Sequence, residues 1–272
     1  MTVIVGPTAV GKTDYSIELA KEYRSPVISC DSRQIFREMK IGTAPPSPEQ
    51  LAAVKHYFIF SHSVSQYYTA GKYELEALEV INELFKTHDR LVVVGGSGLY
   101  VDALCYGLDD FPPADIELRN QLMERLDKEG IESLRMELKQ LDPESYHSMD
   151  IANRQRVVRA LEVTLMTGRK FSSFKTNKAK ERPFKINKIV MSMPREELYG
   201  RINRRVDMMF DAGLVQEVES LLQYREMPAL QTVGYKEIFE YFDGKHSLDT
   251  ARELIKRNTR RYAKKQISYF KR

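Results

Sequence analysis

Lys12 and Thr13 close the octet Gly6-Pro7-Thr8-Ala9-Val10-Gly11-Lys12-Thr13, which fits the pattern G-x-x-x-x-G-K-[ST]. That spacing binds anions. Gly6 and Gly11 let the backbone curl so that successive N–H groups point inward, and a helix N-terminus adds partial positive charge at the same place. Lys12 brings a full charge to phosphate oxygens, and the Thr13 hydroxyl is the candidate ligand for Mg2+. All eight residues are expected to contact a diphosphate or a nucleotide. The motif specifies a polyphosphate or diphosphate and not, by itself, ATP hydrolysis.

A carboxylate is the second candidate. Asp31 opens Asp31-Ser32-Arg33-Gln34 directly after a short apolar run, Ser25 to Cys30. Ligands of open α/β sheets gather at the carboxyl ends of strands, so Asp31 is expected to share a crevice with the P-loop. It is read as a base or substrate-orienting group, with a strand-end cap or a magnesium ligand as the alternative. Arg201 and Arg205 share a helical face and are expected to reach back to the P-loop anion; pairing with Asp207 or Glu197 is the plainer reading. The buried strand Arg90–Val94 runs into Gly95-Gly96-Ser97-Gly98, where a motor-type ATPase would carry an acid. Its glycines suggest close backbone approach to a ligand, or simply a strand-to-helix turn.

These groups need a sheet and helices to position them. Val3-Ile4-Val5 reads as a strand feeding the P-loop, and Asp14 to Ala20 as the helix behind it. Ile41 to Pro48 is a proline-rich loop. Thr69 to Phe85 is a helix whose core face is expected at Leu75, Leu78, Ile81, Leu84 and Phe85. Asp109 to Pro113 looks like a boundary, after which Asp115 to Gly168 is almost purely helical, with Leu118, Leu122, Leu126, Leu134, Leu138 and Leu141 as apolar stripes. Within it, Val157, Val158, Leu161 and Leu165 form a buried stripe, while Gln155, Arg156 and Arg159 share another face and Glu162 is a partner for Arg159. Lys170 to Lys188 is a polar connector, Ile189 to Met193 a strand, and Arg195 to Leu222 helical with a turn at Ala212-Gly213. The expected class is α/β: a P-loop-type parallel sheet flanked by helices, core residues 1–110 and 185–272, with an inserted all-helical module at 111–184.

At 272 residues, 42% hydrophobic and 29% charged, the chain has globular composition and no apolar stretch of membrane-spanning length. The first strand begins almost at Met1, so no leader is expected. Two cysteines and five scattered histidines make no metal pattern, and a reducing, cytoplasmic setting is expected. Net charge is +4, but nine Lys or Arg and one acid fall between Arg252 and Arg272, interleaved with Tyr262, Tyr269 and Phe270. Such a run is either a solvated helix face or a nucleic-acid surface.

Taken together, the motifs resemble the tRNA dimethylallyltransferases, also called tRNA isopentenyltransferases. The resemblance runs through Gly6–Thr13, Asp31–Gln34, Ile41–Ala44, Gly95–Tyr100, Gln155–Glu162, Arg201–Asp207, Val233–Glu237 and Lys256–Gln266. It departs where the family has Lys and this chain Pro45, where a Pro-His-His-like stretch is Val54-Lys55-His56, and where the usual Trp is Tyr269. No zinc-finger extension is expected. The resemblance implies transfer of a dimethylallyl group from dimethylallyl diphosphate to N6 of the adenosine beside the tRNA anticodon, with magnesium. It implies Asp31 as the group that orients N6 and takes its proton, and Thr13, Lys12 and Arg205 as stabilisers of the departing diphosphate. It implies tRNA contacts from Asp31, Ser32, Arg33, Gln34, Ser97, Arg119 and Gln155-Arg156-Val157-Val158-Arg159, to a monomer that grips the anticodon arm. A P-loop small-molecule kinase using ATP is the rival enzyme, and an RNA-binding protein with an inert P-loop the rival without catalysis.

Overall fold

In the computed structural model, residues 1–176 and 178–271 are described. They divide into two compact units, Met1–Gly107 with Glu181–Arg272, and Leu108–Lys180.

The larger unit is built on β1 (Thr2–Val5), β2 (Val27–Ser29), β3 (His56–Tyr57), β4 (Val92–Gly95) and β5 (Asn187–Val190). They form one parallel sheet in the order β3-β2-β4-β1-β5. Val3, Ile4, Val27, Ile28, Val92 and Val93 are wholly buried, as expected for parallel strands covered on both faces. The carboxyl ends of β1, β2 and β4 lie side by side, with Val5 opposite Gly95 and Ser29 opposite Val94. A Cβ on Gly95 would sit 2.2 Å from the Cys30 carbonyl oxygen, so only glycine fits there. The edge strand β5 begins two residues earlier than its apolar run suggests. It carries Asn187 and Lys188, which an edge tolerates, and Met191 N–H still donates to Val5 O at 2.8 Å.

The helices of this unit are α1 (Lys12–Tyr23), α2 (Pro48–Ala53), α3 (Ala70–Leu84), α4 (Gly98–Tyr106), and, after the insertion, α9 (Arg195–Asp211), α10 (Leu214–Ser220), α11 (Tyr235–Phe242) and α12 (Leu248–Phe270). The buried stripe of α3 is Ala70, Tyr73, Glu74, Ala77 and Ile81; Ile81 is buried as expected, whereas Leu75 is 66% exposed and lies off the face assigned to it. Two polar side chains enter that stripe because each is satisfied. Tyr73 donates to Ser29 O at 2.9 Å, and Glu74 pairs with Arg182 at 2.8 Å.

The smaller unit consists of α5 (Ile116–Glu129), α6 (Ile131–Leu141), α7 (Pro143–Ser148), α8 (Arg154–Thr167) and a short 3₁₀ turn at Phe171–Phe174. Leu122, Leu126, Leu134, Leu138, Val157, Val158, Ala160 and Leu161 make its core. Leu141 and Leu165 are 38% and 41% exposed, outside the face assigned to them. Asp142, fully buried, caps α7 through Ser145 N–H and also accepts from the Ser172 N–H and hydroxyl. The unit runs over 108–180 rather than 111–184. Asp109 and Asp110 are tied to Thr176 and Lys180, whereas Arg182 bonds Glu74 and the Leu104 carbonyl of the larger unit.

Candidate active site

The loop between β1 and α1 has the conformation that its glycines allow. Gly6 (φ +149°) and Gly11 (φ +99°) lie in the region that favours glycine, and a Cβ on Gly6 would meet Met191 O at 2.6 Å. Ala9 (φ +67°) is held in the left-handed region without being glycine, a local strain that the surrounding packing maintains. Lys12 begins α1 and turns back so that its Nζ donates to Pro7 O at 2.8 Å. Burial pushes its ammonium down to about 8; nearby Asp31 opposes that shift and Arg205 adds to it. Arg205, on α9, donates to Thr8 Oγ1 at 3.2 Å. Its own pKa is lowered by burial and then by Arg201. Lys12, Arg205 and Arg201 all line one cleft, and Asp207 pairs with Lys256.

Across the cleft, Asp31 follows β2. Its Oδ1 accepts from the N–H groups of Arg33 (2.8 Å) and Gln34 (3.2 Å), so Asp31–Gln34 folds as a turn closed by its own first side chain. Ser97 accepts from Ser32 N–H at 2.9 Å and donates to Ser32 Oγ at 3.0 Å, tying this turn to the start of α4. Gln34 Nε2 donates to the carbonyls of Thr43 and Ala44. The cleft, about 430 Å³, is lined by Thr8, Lys12, Thr13, Asp31 and Arg205 together with Tyr262 from α12. Such an arrangement can hold a diphosphate at one end and offer a carboxylate to a nucleophile at the other.

The profile of the IPP transferase family matches residues 34–272. The chain belongs to this family. It is 48% identical over 272 residues to tRNA dimethylallyltransferase 1 of Bacteroides thetaiotaomicron, covering all of this chain and 88% of that one. It is 49% identical over the same length to tRNA dimethylallyltransferase 1 of Bacteroides fragilis, covering 90% of it. Among solved structures, the full-length tRNA isopentenylpyrophosphate transferase of Bacillus halodurans superposes with a TM-score of 0.70 at 37% identity, covering 99% of this chain and 86% of that one. A eukaryotic dimethylallyltransferase captured acting on tRNA superposes with a TM-score of 0.80 at 26% identity, over 99% of this chain and 69% of that one. None of these relatives favours the kinase alternative.

In this family member the structure brings Gly6–Thr13, Asp31–Gln34, Ser97 and Arg205 into one neighbourhood. Arg119 and the Gln155–Arg159 segment belong to the helical unit. There Gln155 and Arg156 are exposed on α8. Arg159 and Arg119 both bind the fully buried Glu162, at 2.6 Å and 2.5 Å. Val157 and Val158 are 0% and 1% exposed in the core of that unit, which corrects their assignment as RNA contacts: their side chains pack against leucines. The glycines after β4 also receive a different explanation. A Cβ at Gly96 would strike Gln266, and one at Gly98 would strike the Tyr269 ring, so the chain's own α12 packs closely on both, while Gly95 and Gly96 also line the cleft.

Sequence reasoning missed two residues of the cleft. Gln266 accepts from Thr8 N–H at 2.8 Å and donates to Gly96 O at 2.9 Å, bridging the P-loop and the turn after β4. Tyr262 lines the cleft, and its hydroxyl is pushed up to about 12 by burial and next by Asp31. Both lie in the basic stretch Lys256–Gln266, where the only signal was an uncharged polar or aromatic residue among cations.

Among the described residues no group of three or more His, Cys, Asp or Glu is placed to hold a metal ion. The Thr13 hydroxyl lines the cleft and is the group that could ligate an ion arriving on the diphosphate. Among the same residues no helix is long and apolar enough to cross a membrane.

Proposed function

We propose that the protein transfers a dimethylallyl group from dimethylallyl diphosphate to N6 of the adenosine next to the anticodon of a tRNA, releasing diphosphate. We place it in the cytoplasm, working as a monomer. The observation that carries this reading is the pairing of a P-loop, armed by Lys12 and Arg205, with Asp31 in one cleft, where the strand after which an NTPase would carry its acid ends in Gly95-Gly96. The relatives' names support a dimethylallyl group and tRNA as the partners in the transfer.

Each residue then has a task. The P-loop N–H groups, Lys12 and Arg205 hold the diphosphate and stabilise the charge that grows on it as the C–O bond breaks. Bound with the diphosphate and Thr13, magnesium would neutralise part of that charge. Asp31 faces the incoming amine. The N6 lone pair is delocalised into the ring and the amine is a poor nucleophile, so a carboxylate that orients it and accepts its proton as the C–N bond forms lowers the barrier. Two backbone N–H groups already fix Asp31 Oδ1, which leaves Oδ2 for the substrate. The adenosine must leave its stack to reach this carboxylate.

The test is direct. Incubating the protein with labelled dimethylallyl diphosphate and total tRNA should put label into RNA at N6 of adenosine. No label in RNA, or phosphoryl transfer from ATP in its place, would refute the assignment.

A further inference from the structure

We propose that Glu217 is a positioning residue: it fixes the loop Lys40–Pro46 as the wall that receives the alkyl end of the donor, and thereby sets donor affinity and chain-length selectivity. The inference rests on the prenyl-transfer reading above and deepens it.

Glu217 lies on α10 and does not line the cleft. Its Oε2 accepts from the N–H groups of Lys40 and Ile41, both at 2.7 Å, and its Oε1 accepts from Gly42 N–H at 3.0 Å. The Tyr235 hydroxyl donates to the same Oε1 at 2.6 Å. Three consecutive backbone donors thus close on one carboxylate, an arrangement that nests of this kind use to bind anions. Here the anion is part of the chain. Tyr235 is fully buried and lies so close to the loop that a Cβ on Gly42 would sit 2.7 Å from its ring.

The loop needs such a fastening. It has no helix or strand of its own, and Ala44 is held at φ +48° although it is not glycine. Gln34 grips it from the other side through the Thr43 and Ala44 carbonyls. Its far end presents Ala44, Pro45 and Pro46 to the cleft, where Val206, Met209 and Val233 also face. Lys12 and Arg205 claim the diphosphate, and these apolar groups offer the hydrocarbon end of the donor a surface to be buried against. A wall built from two prolines is stiff in itself, and its position depends on what holds its base. Glu217 holds that base, at Lys40, Ile41 and Gly42, as Gln34 holds Thr43 and Ala44.

The experiment compares wild type with Glu217→Ala and with Tyr235→Phe, which keeps the ring and all three backbone bonds. Steady-state kinetics are measured with dimethylallyl diphosphate and with geranyl diphosphate as the longer probe, along with inhibition by inorganic diphosphate, KM for tRNA and thermal unfolding. Loss of charged hydrogen bonds at the base of the wall should raise KM for dimethylallyl diphosphate about tenfold in Glu217→Ala, and less in Tyr235→Phe, while narrowing the preference for the shorter donor. Inhibition by inorganic diphosphate, which needs only the P-loop end, and KM for tRNA should stay at wild-type values. If both variants keep donor KM and selectivity, the inference is overturned. It is equally overturned if inorganic diphosphate affinity falls in step with donor affinity, because that reports collapse of the whole site. Wild-type protein that transfers no prenyl group would refute the activity itself and remove the inference with it.

Discussion

Thr8 and Gln266 stand 258 residues apart in sequence and are joined by a 2.8 Å hydrogen bond, in which the P-loop N–H of Thr8 donates to Gln266 Oε1. One N–H of the anion-binding loop is therefore spent on the chain itself. The other end of the same amide donates to Gly96 O. Gln266→Ala should leave both backbone groups without their partner, and a buried unsatisfied group costs roughly 1–3 kcal/mol. The expected result is a lower melting temperature with weaker diphosphate binding. Unchanged binding by calorimetric titration would show that the loop keeps its shape without the bridge.

Lys12 makes binding pH-dependent. With its ammonium pushed down to about 8 by burial, the empty site loses the lysine proton as pH rises through that value. An incoming diphosphate restores the charge, so binding takes up a proton. Diphosphate affinity should fall above about pH 8, and heats measured in buffers of different ionisation enthalpy should reveal the uptake. Stability runs the other way. The unfolded lysine holds its proton up to its ordinary value near 10.5, so between about 8 and 10.5 the unfolded state binds more protons, and stability of the empty protein gains from this group as pH rises. Lys12→Arg should abolish the dependence near pH 8.

Asp31 separates chemistry from binding. Asp31→Asn keeps an oxygen for the Arg33 and Gln34 N–H groups, preserving the turn, but removes the proton acceptor. Single-turnover transfer should slow on the order of a hundredfold or more while donor affinity survives. Parallel loss of magnesium-dependent diphosphate affinity and rate would instead make Asp31 a metal ligand. Arg205→Ala should damage both, because its guanidinium touches the P-loop.

Charge on the helical unit is unequally available. Arg156 is exposed, whereas Arg159 shares the buried Glu162 with Arg119. Arg156→Ala should weaken tRNA binding and flatten its salt dependence by about one released counterion, more than Arg159→Ala does, as read from binding isotherms over a salt series. Glu162→Ala should act on stability first, by about 3 kcal/mol, since it removes the buried carboxylate that Arg119 and Arg159 share.

Much of this was legible because the relevant signals are local. The G-x-x-x-x-G-K-[ST] octet, the apolar strands and the leucine stripes of the insertion are each written within a few residues, and the parallel sheet follows from them. Leu75 was misread because hydropathy cannot register that Tyr73 and Glu74 find partners in Ser29 O and Arg182. The glycines at 95, 96 and 98 announced close contact, but not with whom. Cys30, Gln266 and Tyr269 are distant in sequence, and only the fold brings them there. Glu217 gave no signal, because its partners are backbone N–H groups of residues 40–42.

The contribution of α12 has a consequence in time. Tyr262, Gln266 and Tyr269, which wall the cleft, brace Thr8 and pack on Gly98, all lie on this last helix. A ribosome makes the P-loop near the beginning of its work and Gln266 near the end. Through most of translation the anion loop is present without its brace and the Gly96 carbonyl without its partner. Until residue 266 has emerged the nascent chain lacks both hydrogen bonds of this brace, and a chain terminated before it carries the P-loop motif without them.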